Sequence, residues 1–240
     1  MKLGVILPSF RDDPAMALSC AAYAAGRVDG VFAYDHLFPM GSPERPALAP
    51  FPLLAAVAAQ HPELSVGPLV ARVGLVPDDT LLGELRALAA VVGEGASLVA
   101  ALGVGDTKGE PERVAYGLPA IPLEERLASL QVIADAIAAE GAEVWLGGAG
   151  PSVAKVATAT GSAVNLWGVS PEQLAQRAAH SAVTWAGVSS WWNDWGVSME
   201  QALDSLEQAG ARWCVVGWPP SADDGAQRAL LDAFAAWRSR

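Results

Sequence analysis

The stretch VFAYDHLFPM, residues 31–40, ends a short apolar run in a carboxylate and an imidazole, Asp35 and His36. An imidazole can take up or release a proton near neutral pH, and a carboxylate beside it can orient the ring. The pair therefore suits proton transfer in a binding site. It also suits a solvated turn that simply follows a buried strand, so the surrounding residues must decide between the two interpretations.

A second candidate lies in GGAGPS, residues 147–152, where an apolar run passes into a predicted helix at Pro151. Glycines let the backbone approach an anion closely, and a helix N-terminus offers free amide donors and a partial positive charge. The segment indicates a phosphate site, although a tight strand–helix turn has the same composition. The spacing excludes a dinucleotide fingerprint, because Val153 stands where the third glycine of that motif belongs.

Other chemistries find little support in the sequence. None of the three histidines has a histidine or cysteine partner at metal-ligand spacing, so we expect no metal site. No G-x-S-x-G segment of a nucleophile elbow is present. Cys20 and Cys214 are far apart in sequence and are expected to be buried free thiols. The tryptophan-rich SWWNDW stretch, residues 190–195, suits core or interface packing first and a ring-binding wall second.

The elements that must position these residues follow from eight short apolar runs, each ending in turn residues. The runs begin at Lys2, Gly30, Leu64, Ser97, Glu143, Ala163, Ala182 and Trp213. The segments between them are typical of helices, most clearly the amphipathic residues 123–141. Most of the strands lack polar alternation, as parallel strands covered on both faces do. Eight β/α units predict an α/β fold, a single (β/α)₈ barrel over residues 1–240, with a doubly wound open sheet as the alternative.

Composition limits the partners and the location of the protein. The formal net charge is -11, and an acidic surface repels phosphate backbones and anionic lipids. We therefore expect no nucleic-acid and no membrane partner. The first apolar run is broken by Pro8 and is too short for a signal peptide or a membrane span. These features predict a cytoplasmic protein.

In a (β/α)₈ barrel the active site is built at the carboxyl ends of the strands, and the unusual residues of this chain gather there. They are Pro8, Ser9, Asp35, His36, Gly103, Gly105, Asp106, Gly147, Gly148, Gly150, Trp167, Ser189, Ser190 and Trp218. Together they predict a wide pocket lined by glycines and edged by aromatic rings. Such a shape suits a flat ring with a phosphate tail.

These motifs resemble those of the bacterial-luciferase-like flavin-dependent oxidoreductases, most closely the branch that uses the deazaflavin coenzyme F420. The matching segments are MKLGVILPSF, YDHLF, LSVGPLVARVG, LGVGD with PERVAYGLP, and VWLGGAGPSVAKVA. The resemblance runs from Met1 to about Trp167. The chain departs from the family pattern in its short loops after strands five to seven, where an insertion usually covers the substrate.

The resemblance implies roles for individual residues. Asp35 and His36 lie near the reactive ring, with His36 in the mouth of the barrel. Leu69–Val70 is the pair that carries a non-proline cis peptide behind the ring. The other residues implied or inferred to bind the coenzyme are Gly103, Gly105, Asp106, Gly147, Gly148, Ala149, Gly150 and Trp167.

Three functions are compatible with this sequence. The first is an oxidoreductase that moves a hydride between coenzyme F420 and a small organic substrate, with Asp35 orienting His36 for the accompanying proton. The second is an FMN-dependent monooxygenase that uses oxygen and receives reduced flavin from a partner reductase. The third is a non-catalytic flavin binder or assembly subunit, in which Trp191 to Trp195 form an exposed partner surface. A homodimer is expected in this family.

Overall fold

The strands of the protein run parallel and form one sheet in the computed structural model, which describes residues 1–105, 109–218 and 223–240. The strands are β1 (Lys2–Ile6), β2 (Gly30–Ala33), β3 (Ser65–Pro68), β4 (Ala71–Arg72), β5 (Val99–Gly103), β6 (Glu143–Gly147), β7 (Ala163–Trp167), β8 (Val183–Val188) and β9 (Ala211–Gly217). Their order in the sheet is β3-β2-β1-β9-β8-β7-β6-β5-β4. The first strand thus lies beside the last, as a barrel requires.

The two ends of this sheet meet because β3 and β4 are halves of one predicted strand, interrupted at the cis peptide Leu69–Val70. β4 pairs with β5, and β3 reaches the start of the same strand through a bridge between Val66 and Leu98. The amide of Val66 donates to the carbonyl of Ser97 at 3.2 Å. The eight predicted strands and the (β/α)₈ barrel are therefore confirmed.

Helices separate the strands and cover the outside of the sheet. They are α1 (Ala15–Ala24), α2 (Pro50–Gln60), α3 (Asp78–Ala89), α4 (Glu110–Ala115), α5 (Leu123–Ala139), α6 (Pro151–Thr160), α7 (Pro171–Ala178), α8 (Trp191–Asp194), α9 (Met199–Gln208) and α10 (Asp224–Arg238). The amphipathic prediction for α5 is confirmed, since Leu130, Ile133, Ala134 and Ile137 are buried. The short helices α4 and α8 were not predicted, because neither has enough turns to show a helical period.

The interior of the barrel is filled by side chains from alternate strand positions, while the positions between them pack against the helices. Phe32, Trp145 and Trp213 lie together inside, with ring centroids 5.3 to 5.7 Å apart. Oε1 of Glu143 accepts hydrogen bonds from both indoles, at 2.9 and 3.0 Å. Glu143 begins β6, so the amino end of the barrel is plugged and the carboxyl end is left for a site.

Three tryptophans of the predicted cluster are described, and none of them is exposed: Trp192 is buried, and Trp191 and Trp195 are half-buried. Trp192 is 3% exposed and stacks on Trp185, and Trp195 meets the same ring edge-on at 5.9 Å. The third hypothesis expected an exposed partner surface here, and that expectation is wrong. Trp185 points outward from β8 and needs apolar cover, which α8 supplies. The core-packing interpretation is confirmed for Trp192.

Two further predictions concern the cysteines and the membrane. Cys20 and Cys214 are free and buried, as expected, and burial raises the pKa of Cys20 to about 12. Over residues 1–105, 109–218 and 223–240, no helix has the length and apolar character needed to cross a membrane.

Close strand packing generates a test of the fold. A Cβ at Gly67 of β3 would lie 2.0 Å from the carbonyl oxygen of Val99, whereas a Cβ at Gly83 in α3 would meet nothing within 4 Å. We expect Gly67→Ala to lower the free energy of unfolding by about 3 kcal/mol, because backbone must move. Gly83→Ala should raise it by about 0.5–1 kcal/mol through helix propensity. Urea unfolding of both variants measures this, and equal effects would contradict the barrel register.

Candidate active site

The imidazole of His36 lies at the carboxyl end of β2, where the strand has already ended at Ala33. Its side chain is 23% exposed. Nδ1 lies 2.5 Å from Oε1 of Glu112, and the same carboxylate accepts the amide of Leu37 through Oε2 at 2.8 Å. Glu112 is 1% exposed and is the buried residue of α4. A charged group thus anchors α4 to the end of β2.

The guanidinium of Arg72, at the end of β4, links this pair to Asp35. Its Nη2 donates to Oε2 of Glu112 at 2.8 Å and to the backbone carbonyl of Asp35. The backbone amide of Arg72 donates to Oδ2 of Asp35 at 2.7 Å, and Nε lies 3.8 Å from the same oxygen. Arg72 and Glu112 are buried and Asp35 is half-buried beside them. A charge removed from water in this way needs a partner of opposite sign close by.

The surroundings shift the pKa values of Asp35 and Glu112 in opposite directions. Burial acts to raise the pKa of Glu112, but hydrogen bonds from His36, Leu37 and Arg72 outweigh it and lower that pKa to about 2. Burial raises the pKa of Asp35 to about 6 despite its contacts with Arg72. Because an ionised Glu112 can only accept, Nδ1 of His36 carries the proton of their shared hydrogen bond. Nε2 is then the nitrogen left for chemistry.

The sequence placed Asp35 and His36 in the mouth and assigned the orienting role to Asp35. His36 is half-buried beside Phe10 and Tyr34, with ring centroids 6.1 and 6.0 Å away. Within the described residues, however, Asp35 bonds to Arg72 and not to His36. Glu112 holds the imidazole instead, so the orienting role assigned to Asp35 is corrected.

Sequence reasoning missed both Arg72 and Glu112, although each lies in a quoted motif. Arg72 ends an otherwise apolar run, and an arginine in that position needs a buried acid. Glu112 precedes the exposed apolar residues Val114 and Tyr116, an unusual arrangement for a surface helix. The arginine at the end of an apolar run was visible in the sequence, whereas the exposure of Val114 and Tyr116 and the contact between Arg72 and Glu112 are seen only in the fold.

Val70 follows the predicted cis peptide, which is confirmed, and its side chain lies between two inward-facing glycines. A Cβ at Gly103 would lie 2.6 Å from Cγ2 of Val70, and a Cβ at Gly147 would lie 2.8 Å from Cγ1. These glycines leave room for Val70 at the top of the barrel interior, and Leu69 is 5% exposed beneath it.

The predicted phosphate segment is exposed at the start of α6. Gly150 is the N-cap with an extended backbone, and a Cβ there would meet nothing within 4 Å. The amide of Gly148 already donates to the carbonyl of Asn165 at 3.1 Å, so an anion at this segment would have to bind amides that follow Gly148 in the chain. A cation that the sequence did not suggest is also present, since Arg177 donates to the carbonyl of Ala149 at 2.9 Å.

Two of the remaining predicted residues follow β5 and one ends β7. Gly105 has φ +70 and lies near Arg72 and Arg126. Asp106 lies outside the described residues. Trp167 is 45% exposed and contacts Tyr34, so it faces the mouth. Among the residues that the structure describes, no group of three or more histidines, cysteines or acids could hold a metal ion.

Comparisons with known proteins find the fold of this chain in several solved structures. No protein-family model and no curated protein matches the sequence. An F420-dependent secondary alcohol dehydrogenase superposes with a TM-score of 0.74 at 11% identity, over 96% of this chain and 97% of that chain. EDTA monooxygenase from Chelativorans sp. BNC1 gives 0.73 at 11% identity, over 100% and 94%. At such identity the matches show the fold, which agrees with the one that the sequence motifs implied.

A third structure has the same fold. The coenzyme F420-dependent tetrahydromethanopterin reductase from Methanopyrus kandleri has a TM-score of 0.67 at 13% identity, over 96% of each chain. The structures that share this fold therefore include proteins named for F420 and one named as a monooxygenase.

The buried acid generates a stability test. Glu112→Gln should lower the free energy of unfolding at pH 7 by about 3 kcal/mol, because it removes the charge that compensates Arg72. The difference should shrink as pH falls from about 4.5 toward about 2, since protonation of Glu112 removes the same stabilisation from the unmodified protein. Glu110→Gln in the same helix is the control, because Glu110 is exposed and should leave stability unchanged. Urea unfolding across this pH range gives the values, and a Glu112→Gln protein as stable as the control would contradict the buried network.

Proposed function

We propose that this protein is an oxidoreductase of the bacterial-luciferase-like family that moves a hydride between coenzyme F420 and a small organic substrate. The observation that carries the proposal is His36, a half-buried imidazole at the barrel mouth whose Nδ1 is held by a buried, ionised Glu112. The barrel fold supports it. Among proteins of this fold, two are named for the same coenzyme.

His36 serves the reaction as the group that handles the proton. With Nδ1 engaged, Nε2 can give a proton to a substrate oxygen or take one from it. Glu112 positions the ring through the 2.5 Å contact with Nδ1. Hydrogen bonds from His36, Leu37 and Arg72 keep Glu112 ionised, so the three side chains act as one unit.

The residues at the mouth fit a flat coenzyme with a phosphate. When bound, the deazaflavin supplies or accepts the hydride. Val70 would support the ring, because Gly103 and Gly147 leave the room that its side chain needs at the top of the barrel interior. The first turn of α6 offers amide donors, and Arg177 adds a positive charge beside the exposed Gly148–Gly150 segment.

A second candidate function is an FMN-dependent monooxygenase. The observation in its favour is the fold similarity to EDTA monooxygenase, whose TM-score of 0.73 nearly equals that of the F420-dependent alcohol dehydrogenase. This candidate would require reduced flavin from a partner reductase. A homodimer and a single domain over residues 1–240 belong to either proposal.

Titration with oxidised F420 and, separately, with FMN tests the proposal through ligand fluorescence. We expect micromolar binding of F420 and at least about tenfold weaker binding of FMN. The opposite preference would favour the monooxygenase. Binding of neither coenzyme would overturn both functions.

A negative charge added at the N-terminus of α6 tests whether the coenzyme phosphate binds there. Gly150→Asp should weaken coenzyme binding about tenfold by repelling the phosphate, while folding is retained because Asp is a good N-cap and a Cβ fits there. Gly83→Asp introduces the same charge within α3, where a Cβ also meets nothing, and should leave affinity unchanged. Equal effects of the two substitutions on coenzyme affinity would contradict the proposal that this segment binds the phosphate.

A further inference from the structure

The mouth of the barrel divides into two halves of different chemistry. The strands β4, β5 and β6 end in Arg72, Gly103 and Gly147, with Val70 between the glycines. The contiguous strands β7, β8, β9, β1 and β2 lie opposite. An aromatic residue ends or closely follows each of these five strands. Four of these residues contact one another in a row and form what we call the aromatic wall: Phe10, Tyr34, Trp167 and Trp191.

The rings of the aromatic wall touch one another although they come from distant parts of the chain. Phe10 and Tyr34 are stacked, with centroids 5.3 Å apart and planes 9° apart. Tyr34 contacts Trp167 at 6.1 Å, and Trp167 meets Trp191 edge-on at 5.9 Å. The wall adjoins His36, which lies 6.0 Å from Tyr34. It is therefore next to the group that would handle the proton.

Local packing holds Trp191 in this wall. A Cβ at Gly168 would lie 2.4 Å from Cζ3 of Trp191, and one at Gly187 would lie 3.0 Å from Cε3. The two glycines thus leave space for the indole. Its neighbour Trp167 is 45% exposed, an uncommon exposure for a tryptophan that could be buried. An exposed ring at the mouth is available to a ligand.

The wall has an apolar character throughout. None of its four side chains carries a formal charge at neutral pH, and burial raises the pKa of Tyr34, which keeps its phenol neutral. Such rings bind a flat partner by offset or edge-to-face stacking. We propose that the substrate carries a planar aromatic ring, which packs on the aromatic wall while the coenzyme occupies the Val70 half. This inference rests on the proposed function, and it names Trp191 as a specificity-determining residue.

A matched pair of probes tests the substrate class by isothermal titration calorimetry. The full chain is titrated with 2-naphthol and with its saturated analogue decahydro-2-naphthol, with and without the coenzyme that binds better. Stacking on two rings should give the aromatic probe about tenfold higher affinity. Equal affinities would overturn the inference even if the coenzyme binds. Aromatic preference without coenzyme binding would support the wall and contradict the proposed oxidoreductase.

Variants locate the probe. Trp191→Leu should weaken the binding of 2-naphthol about tenfold. If that variant does not fold, Phe10→Leu takes its place and should also weaken the binding. Trp195→Leu is the control, because the ring of Trp195 packs on Trp185. Its contact with Trp191 is a backbone hydrogen bond, which the substitution leaves in place. Coenzyme and probe affinities of this control should match those of the unmodified protein. If the control loses as much probe affinity as Trp191→Leu, the ring-specific account is wrong.

Discussion

The buried carboxylate of Glu112 is the constraint on which the mouth of this barrel depends. It bonds the imidazole of His36, the amide of Leu37 and the guanidinium of Arg72, and so joins the ends of β2 and β4 to α4. Two buried charges are tolerated only when each has its partner, because an unpaired charge in the interior is strongly destabilising. The same contacts that hold α4 in place therefore determine that Nδ1 of His36 carries a proton.

The rest of the barrel tolerates that arrangement, because the residues that stabilise the fold and those of the candidate site lie at different ends of the strands. Phe32, Trp145 and Trp213 fill the interior toward the amino end, where Glu143 satisfies both indoles. Toward the carboxyl end the inward positions become small, at Gly103 and Gly147. Large rings thus fill the lower part of the interior, and glycines line its upper part. Polar residues there can face a ligand without weakening the core.

Much of this fold follows from patterns that a single sequence contains. Parallel strands covered on both faces are apolar runs, and eight of them predict the barrel. The cis Leu69–Val70 peptide and the mouth position of His36 followed from motif resemblance. Arg72 and Glu112 were missed because they are 40 residues apart, and a contact at that separation depends on the three-dimensional fold. Arg177 was missed for the same reason, since it meets Ala149 only after α7 returns along the barrel.

The tryptophan stretch shows a different limit. Composition could not decide whether the stretch from Trp191 to Trp195 would form core, interface or a ring-binding wall, because aromatic residues are common in all three environments. The fold separates the rings: Trp192 packs on Trp185, whereas Trp191 turns toward Trp167. A periodicity argument cannot make this distinction in a helix of only four residues.

The central claim is that an ionised Glu112 holds the proton of His36 on Nδ1. Long-range ¹H–¹⁵N correlation spectra of the histidine rings at neutral pH and above test it directly, with His36 assigned from a His36→Gln variant. The account predicts that neutral His36 is the Nδ1–H tautomer, and that Glu112→Gln removes this preference. A neutral His36 protonated on Nε2 in the unmodified protein would contradict it.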